Sequence, residues 1–214
     1  MHASNSLRLV CILTAAVFCA ALPARAQFGA PVTTQVHDAS ALRPPAGVRV
    51  AIVEFGDLEC PDCAAAYPLV RDAVAKYKIP LLYHDFPLPF HHWSFQAAVN
   101  ATWFDRKNQK LGEEYRGYIF TNQRSITPPE SLASVTQTFA KQHGLIFPRD
   151  PDPKGALAAT VKASYALGQR IGVEHTPTIW VVTAGGKAAP FIEVIDNNRL
   201  NLMIEQALAA TASR

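Results

Sequence analysis

The chain has 214 residues, 49% of them apolar and 17% charged, with 20 Lys and Arg against 17 Asp and Glu. That is enough apolar material for one sizeable core, and a net charge of +3 supplies no basic face of the kind that nucleic-acid binding needs. Four cysteines, at positions 11, 19, 60 and 63, are too few for a framework of disulfide staples.

Met1–Ala26 reads as a secretory signal peptide. Arg8 supplies the positive charge, and Leu9–Leu22 is an apolar core too short for a final membrane span. Ala24-Arg25-Ala26 is a small-x-small cleavage site, so the mature chain is expected to run from Gln27 to Arg214, outside the cytoplasm and with no stable membrane insertion. An uncleaved anchor is one alternative. A lipoprotein cut at Cys19 is another, although bulky Phe18 stands where that cut wants a small residue. Cleavage at Gln27 removes Cys11, Cys19, Arg8 and Arg25, which leaves Cys60 and Cys63 alone among 188 residues carrying 18 basic and 17 acidic side chains. This near balance argues against a strongly charged target surface as well.

Gln27–Pro45 is a lead-in rich in Pro, Ala and Thr, with a short edge strand expected around Val32–Val36. Pro44-Pro45-Ala46-Gly47 marks a turn. Val48–Phe55 is a near-continuous apolar run, as expected of a central strand buried on both faces. A helix follows from about Cys60 to Tyr77, with Leu69, Val70, Val74 and Tyr77 as core candidates and Pro68 inside it, where a bend is expected. Leu81–Phe86 is the second strand, ended by Pro87 and Pro89.

From His91 to Ile171 the periodicity is helical. Trp93–Arg106 shows an apolar face at Phe95, Ala98, Val99 and Trp103, and Leu111–Asn122 carries Tyr115, Tyr118 and Ile119. Thr127-Pro128-Pro129-Glu130 has the form of a capping box opening a third helix, with Leu132, Val135 and Phe139 on one side and Gly144 at its end. Gly155–Ile171 is a fourth helix, with Leu157, Val161, Ser164, Tyr165 and Gly168 on one side, stopped at Gly172. His91 and His92, adjacent and facing different ways, are expected to cap this block or touch solvent. Thr178–Val182 and Phe191–Ile195 form an antiparallel pair about a Gly185-Gly186 turn. Asp196-Asn197-Asn198 then caps a closing helix with Leu200, Ile204, Ala207 and Leu208 on its core stripe.

The chemistry concentrates in Glu54-Phe55-Gly56-Asp57-Leu58-Glu59-Cys60-Pro61-Asp62-Cys63. Two cysteines at i and i+3 on the first turn of a helix share one side of it and can close or open a disulfide. Free N–H groups and the dipole at a helix N-terminus favour a negative charge, which lowers the thiol pKa of Cys60. Cys63, one turn deeper, suits the resolving role. Glu59 and Asp62 are like charges expected to raise the Cys60 pKa, against the helix terminus, and Pro61 and Asp62 are the candidate tuning residues between the cysteines. A structural disulfide and half of a zinc site remain as alternatives; the second needs further ligands, and no cysteine lies downstream. Glu54, a carboxylate in a central strand, is costly unless paired or protonated. Lys76, Lys78 and His84 are candidate partners.

This stretch resembles the thioredoxin superfamily, most closely its extracytoplasmic DsbA-like branch. Val53-Glu54-Phe55, Cys60-Pro61-Asp62-Cys63 and Pro68 match it, and so does the distant Thr176-Pro177-Thr178. The resemblance covers roughly residues 30–210. It implies an α/β fold, a thioredoxin-like central mixed sheet flanked by helices, with a helical insertion of about 80 residues at about 90–172. It also implies a cis bond before Pro177, facing the cysteines and exposing the Thr176 backbone to an extended substrate segment, and a proton-transfer role for Glu54 beneath the disulfide. His175 departs from the glycine that many relatives carry there, and could tune the Cys60 thiolate or merely face solvent.

The function expected is that of a secreted thiol–disulfide oxidoreductase acting on protein cysteines, with no dissociable cofactor and a membrane redox partner for recycling. The oxidase or isomerase direction is favoured, oxidase ahead. A metal-binding module holding copper or zinc with Cys60, Cys63 and His175 is the alternative from another class. A reductase dedicated to one partner is the third.

Overall fold

The structure, a computed structural model, describes residues 33–127, 129–185 and 188–212, without the side chains of Pro129 and Glu130. The leader, Val32, the capping box around Pro128 and half of the Gly185-Gly186 turn lie outside the described residues.

Strand β1 (Val50–Gly56) is buried along its whole length, because it is central. It pairs in parallel with β2 (Leu81–Asp85) and antiparallel with β3 (Thr178–Thr183), and β3 pairs antiparallel with β4 (Phe191–Glu193), giving the order β2-β1-β3-β4. Alternation along the strands sorts the core into two layers. Val50, Ile52, Ile179 and Val181 pack on one face against helices α1 (Pro61–Tyr77) and α6 (Leu200–Ala210). Ala51, Val53, Phe55, Trp180 and Val182 pack on the other, beside Leu42, Ile171 and Val173. Helix α5 (Ala156–Ile171) comes close enough on that face that a Cβ at Gly168 would lie 2.6 Å from the Phe86 ring and 3.0 Å from the Phe55 ring.

Between β2 and β3 run α2 (Ser94–Lys107), α3 (Gln109–Asn122), α4 (Pro129–Gln142) and α5. This is the expected mixed sheet with a helical insertion. Phe104, Tyr115, Ile119, Leu132 and Phe139 form the core of the insertion, and Leu58, Cys60 and Cys63 belong to the same cluster. The cysteines therefore sit where the insertion meets the sheet. Arg116 of α3 ties the two together: it reaches Asp85 at the end of β2 and Asp105 of α2, both at 2.9 Å.

Several expectations change. Residues 33–36 join no strand; Thr34 instead bonds the Glu193 carboxylate through both its N–H and its hydroxyl, at 2.7 Å each. The Gln35 carbonyl crosses Gly172 so closely that a Cβ there would be 2.3 Å away, and Gly172 has φ +107, so two separate reasons require glycine. Leu69 and Phe95 are exposed, not core, whereas the expected Val70, Ala98 and Val99 are buried, together with Cys63, Ala66 and Ala73 of α1 and Ala97, Ala101 and Phe104 of α2. β2 ends at Asp85 and β4 at Glu193, each shorter than the apolar run that suggested it. Helix α1 continues through Pro68 as one element. The closing cap is as expected, the Asp196 carboxylate accepting from Asn198 N–H at 3.0 Å ahead of α6.

Candidate active site

The turn after β1 decides where the cysteines go. The Asp57 carboxylate accepts the Glu59 N–H at 2.7 Å, an Asx-type turn, and the Asp57 carbonyl accepts the Cys60 N–H at 3.1 Å. Cys60 is thereby the extended residue that caps α1, and Pro61 opens the helix, where its missing N–H costs nothing. The Asp57 N–H donates to Cys63 Sγ at 3.4 Å. Both cysteines are thiols; Cys60 is 6% exposed and Cys63 fully buried. The Thr176–Pro177 bond is cis. It faces the helix terminus so that Cys60 Sγ donates to the Thr176 carbonyl at 3.3 Å.

The two thiols are driven apart electrostatically. The Cys63 thiol, donating to the Cys60 sulfur, is the largest reason that Cys60 is pulled down to about 6. Burial opposes this, while Thr176 and the backbone N–H groups of Cys63 and Asp62 add to it. The Thr176 hydroxyl is buried without a hydrogen-bond partner among the described residues. Burial, then the hydrogen bond with Cys60 and its charge, pushes the Cys63 thiol far above its ordinary range. The site thus holds one thiol that ionises easily beside one that stays protonated.

Glu54 lies opposite Tyr83 of β2 and is 3% exposed. Burial pushes its carboxyl up to about 7, and Arg71 partly offsets this. Its charge in turn helps push up the Cys63 thiol. None of the expected partners reaches it. Lys76 turns outward to Tyr77 and Glu205, and His84, on the other face of the sheet, stacks on Phe55 at 4.7 Å. Glu54 instead borders a cavity of about 40 Å³ with Tyr67, Arg71, Tyr83 and Arg116. That is room for one water molecule.

The two acids flanking the cysteines do not act as expected. Glu59 turns away and accepts the N–H groups of Trp93 and Ser94 at 2.7 and 3.0 Å, capping α2 from a distance. Asp62 contributes its backbone N–H to the lowering of Cys60. His175 is half exposed and turns to the Thr178 hydroxyl at 3.3 Å and to Glu193 at 4.0 Å. A copper or zinc site needs a donor besides the two sulfurs, and among the described residues no three His, Cys, Asp or Glu side chains converge. His92 faces solvent, as expected, but His91 does not: its Nδ1 lies 2.8 Å from Asp57 Oδ2. Asp57, His91 and Arg71 are the site residues that sequence reasoning missed. Only Asp57 carried a local cue, as a turn-forming residue three positions before Cys60.

A family model described as thioredoxin matches residues 47–187, from ahead of β1 to beyond the cis-proline. The chain belongs to the thioredoxin family. Among solved structures, this thioredoxin-family fold is similar to the thiol–disulfide exchange protein α-DsbA2 of Wolbachia pipientis, with 18% identity, a TM-score of 0.60, and 77% of this chain and 84% of that one covered. It is similar to a periplasmic thioredoxin-like protein of Salmonella enterica serovar Typhimurium, with 19% identity, a TM-score of 0.60 and coverage of 78% and 88%. It is also similar to ScsC of Proteus mirabilis, with 17% identity, a TM-score of 0.57 and coverage of 79% and 74%. No curated protein matches the chain by sequence.

Proposed function

We propose that the protein is an extracytoplasmic thiol–disulfide oxidoreductase that passes the disulfide of Cys60–Cys63 to cysteines of protein substrates. The observation that carries this reading is the split between the two thiols at one helix terminus: Cys60, lowered to about 6, lies against the cis Thr176–Pro177 loop, and Cys63 is buried and protonated. A substrate thiolate attacks Cys60 Sγ, the Cys60–Cys63 bond breaks, and Cys63 leaves and takes a proton. Glu54, titrating near 7, is the group suited to supply it. A second substrate thiolate then attacks the substrate sulfur of the mixed disulfide and expels Cys60 as a thiolate. Two electrons move from substrate to protein, and a membrane-side oxidant restores the disulfide. A leaving group with a low pKa makes donation the favoured direction.

Thr176 presents its backbone beside the sulfur, which suits pairing with an extended substrate segment. The leader at Met1–Ala26 supports export, with a mature chain starting at Gln27. No described helix is long and apolar enough to cross a membrane. Equilibration of the mature protein with glutathione buffers tests the reading: a donor of disulfides poises at about −120 to −180 mV, whereas about −270 mV would make it a reductase. Cys63→Ala should accumulate mixed disulfides on Cys60. An absence of any intramolecular bond would remove the redox reading altogether.

A further inference from the structure

His91 and Asp57 are 34 residues apart, yet the structure joins them beside the cysteines. The imidazole Nδ1 is 2.8 Å from Asp57 Oδ2, with 15% of the His91 side chain exposed and none of that of Asp57. The Asp57 carboxylate also accepts the N–H groups of Glu59 at 2.7 Å and Leu88 at 2.6 Å. The backbone of the same residue reaches both sulfurs' residues: its N–H donates to Cys63 Sγ, and its carbonyl accepts the Cys60 N–H. A single buried aspartate thus links a titratable ring at the rim to both halves of the redox pair. Nothing in the exchange chemistry described above uses this ring.

Resting on the thiol–disulfide reading, we propose that His91 is a positioning residue of the redox site. By holding the Asp57 carboxylate it fixes the turn over residues 57–60, and protonation of His91 and reduction of the cysteine pair favour each other. The reason is charge. A buried carboxylate on the residue whose backbone bonds both cysteines disfavours a further negative charge beside it, and an imidazolium donating to that carboxylate offsets this. Two backbone donors also hold Asp57 in place.

The titratable and charged groups around His91 are few. On the turn are Asp57 and Glu59, the latter engaged with Trp93 and Ser94 N–H. His92 stands beside it, exposed. From α5, Lys162 and Tyr165 face it across a groove of about 420 Å³ that His91 helps to line. Phe90 packs edge-on against the ring at 4.7 Å. The groove gives the imidazole a path to solvent, whereas the Asp57 side chain has none of its surface exposed.

Linkage makes the test reciprocal: if the redox state of the pair biases His91, His91 biases the pair equally. The imidazole resonances of the whole mature protein are titrated in both redox states, with His91→Gln used for assignment. His91 should titrate at a higher pH in the reduced protein than in the oxidised one; the same midpoint in both states overturns the proposal. His91→Ala and His91→Gln are then compared in glutathione buffers and by the thiolate absorbance of the reduced protein. Both should shift the equilibrium toward the disulfide about tenfold and raise the Cys60 midpoint by about one unit. Gln, which keeps an N–H donor, should restore melting temperature but not the potential. A lower melting temperature with potential and thiolate midpoint unchanged would show a structural brace only, and overturn the proposal. If Ala does not fold, the wild-type titration decides. Failure of the wild type to form its disulfide would sink the underlying function reading instead, and the thiolate titration of the reduced variants would still judge His91.

Discussion

Glu54 sits where a carboxylate is costly to keep. It stands in the middle of a buried strand, and burial holds its carboxyl protonated up to about 7 in place of its ordinary 4.5. The unfolded chain ionises near 4.5, so between the two values the unfolded state binds fewer protons than the folded one, and stability falls as pH rises through that window. The expected loss is roughly 3 kcal/mol, as an upper bound on a buried group. Urea melts of the mature protein at pH 4.5 and pH 8 measure it. Glu54→Gln, of the same shape and without the proton, should flatten the profile; a mutant that keeps the full slope would place the titrating group elsewhere. Retaining a carboxyl at such a cost, opposite Tyr83 and within electrostatic reach of Cys63, fits a group kept for its proton.

At the scale of the element, the helices of the site depend on residues far from them in sequence. Helix α2 has no cap of its own at Trp93. Glu59, 34 residues earlier and next to Cys60, supplies the acceptor for its first N–H groups. Glu59→Ala should cost about 1 kcal/mol in chemical denaturation while leaving the alkylation midpoint of Cys60 near 6, since the carboxylate is turned to α2 and not to the sulfur. A drop in the Cys60 midpoint on removing this acid would instead support the simpler view that it repels the thiolate. Helix α1 tells the complementary story. Its start is set locally, by the Asp57 turn, Cys60 in an extended conformation and Pro61 at the first helical position, so the strand–turn–helix of the motif was legible from contiguous residues. Its buried side was legible only in part: Val70 reads as core and is buried, but Leu69 reads as core by residue type and is left to solvent while Ala73 packs inward.

For the whole molecule, the sheet and the helical insertion meet at the cysteines, which belong to the core cluster of the insertion while α1 itself packs on the sheet. The redox state should therefore be felt in global stability. Reduced and folded, Cys60 titrates at about 6; in an unfolded chain it returns to its ordinary value of 9.0. Over that interval the unfolded state binds more protons, so the reduced protein gains stability as pH rises from 6 toward 9. The disulfide form has no thiol to ionise and lacks this gain. Melting curves of both forms should diverge over that range, with the reduced protein favoured increasingly toward high pH; parallel curves would mean that Cys60 is not the low thiol. A folded state that stabilises its reduced form in this way favours giving up its disulfide, the direction proposed above.

The sequence by itself determined the β1–turn–α1 unit, the two cysteines on its first turn, the second proline signature at Thr176-Pro177, and a block of helices between the second and third strands. These follow from contiguous patterns: an apolar run, a capping turn, a 3.6-residue period. Only the tertiary structure decided which polar groups serve the site. Arg71 beside Glu54, His91 on Asp57, Glu59 under α2, and His175 turned to Glu193 are pairings across the fold. A charged side chain's partner is set by which segments packing brings within about 3 Å, and no periodicity or propensity along the chain carries that distance.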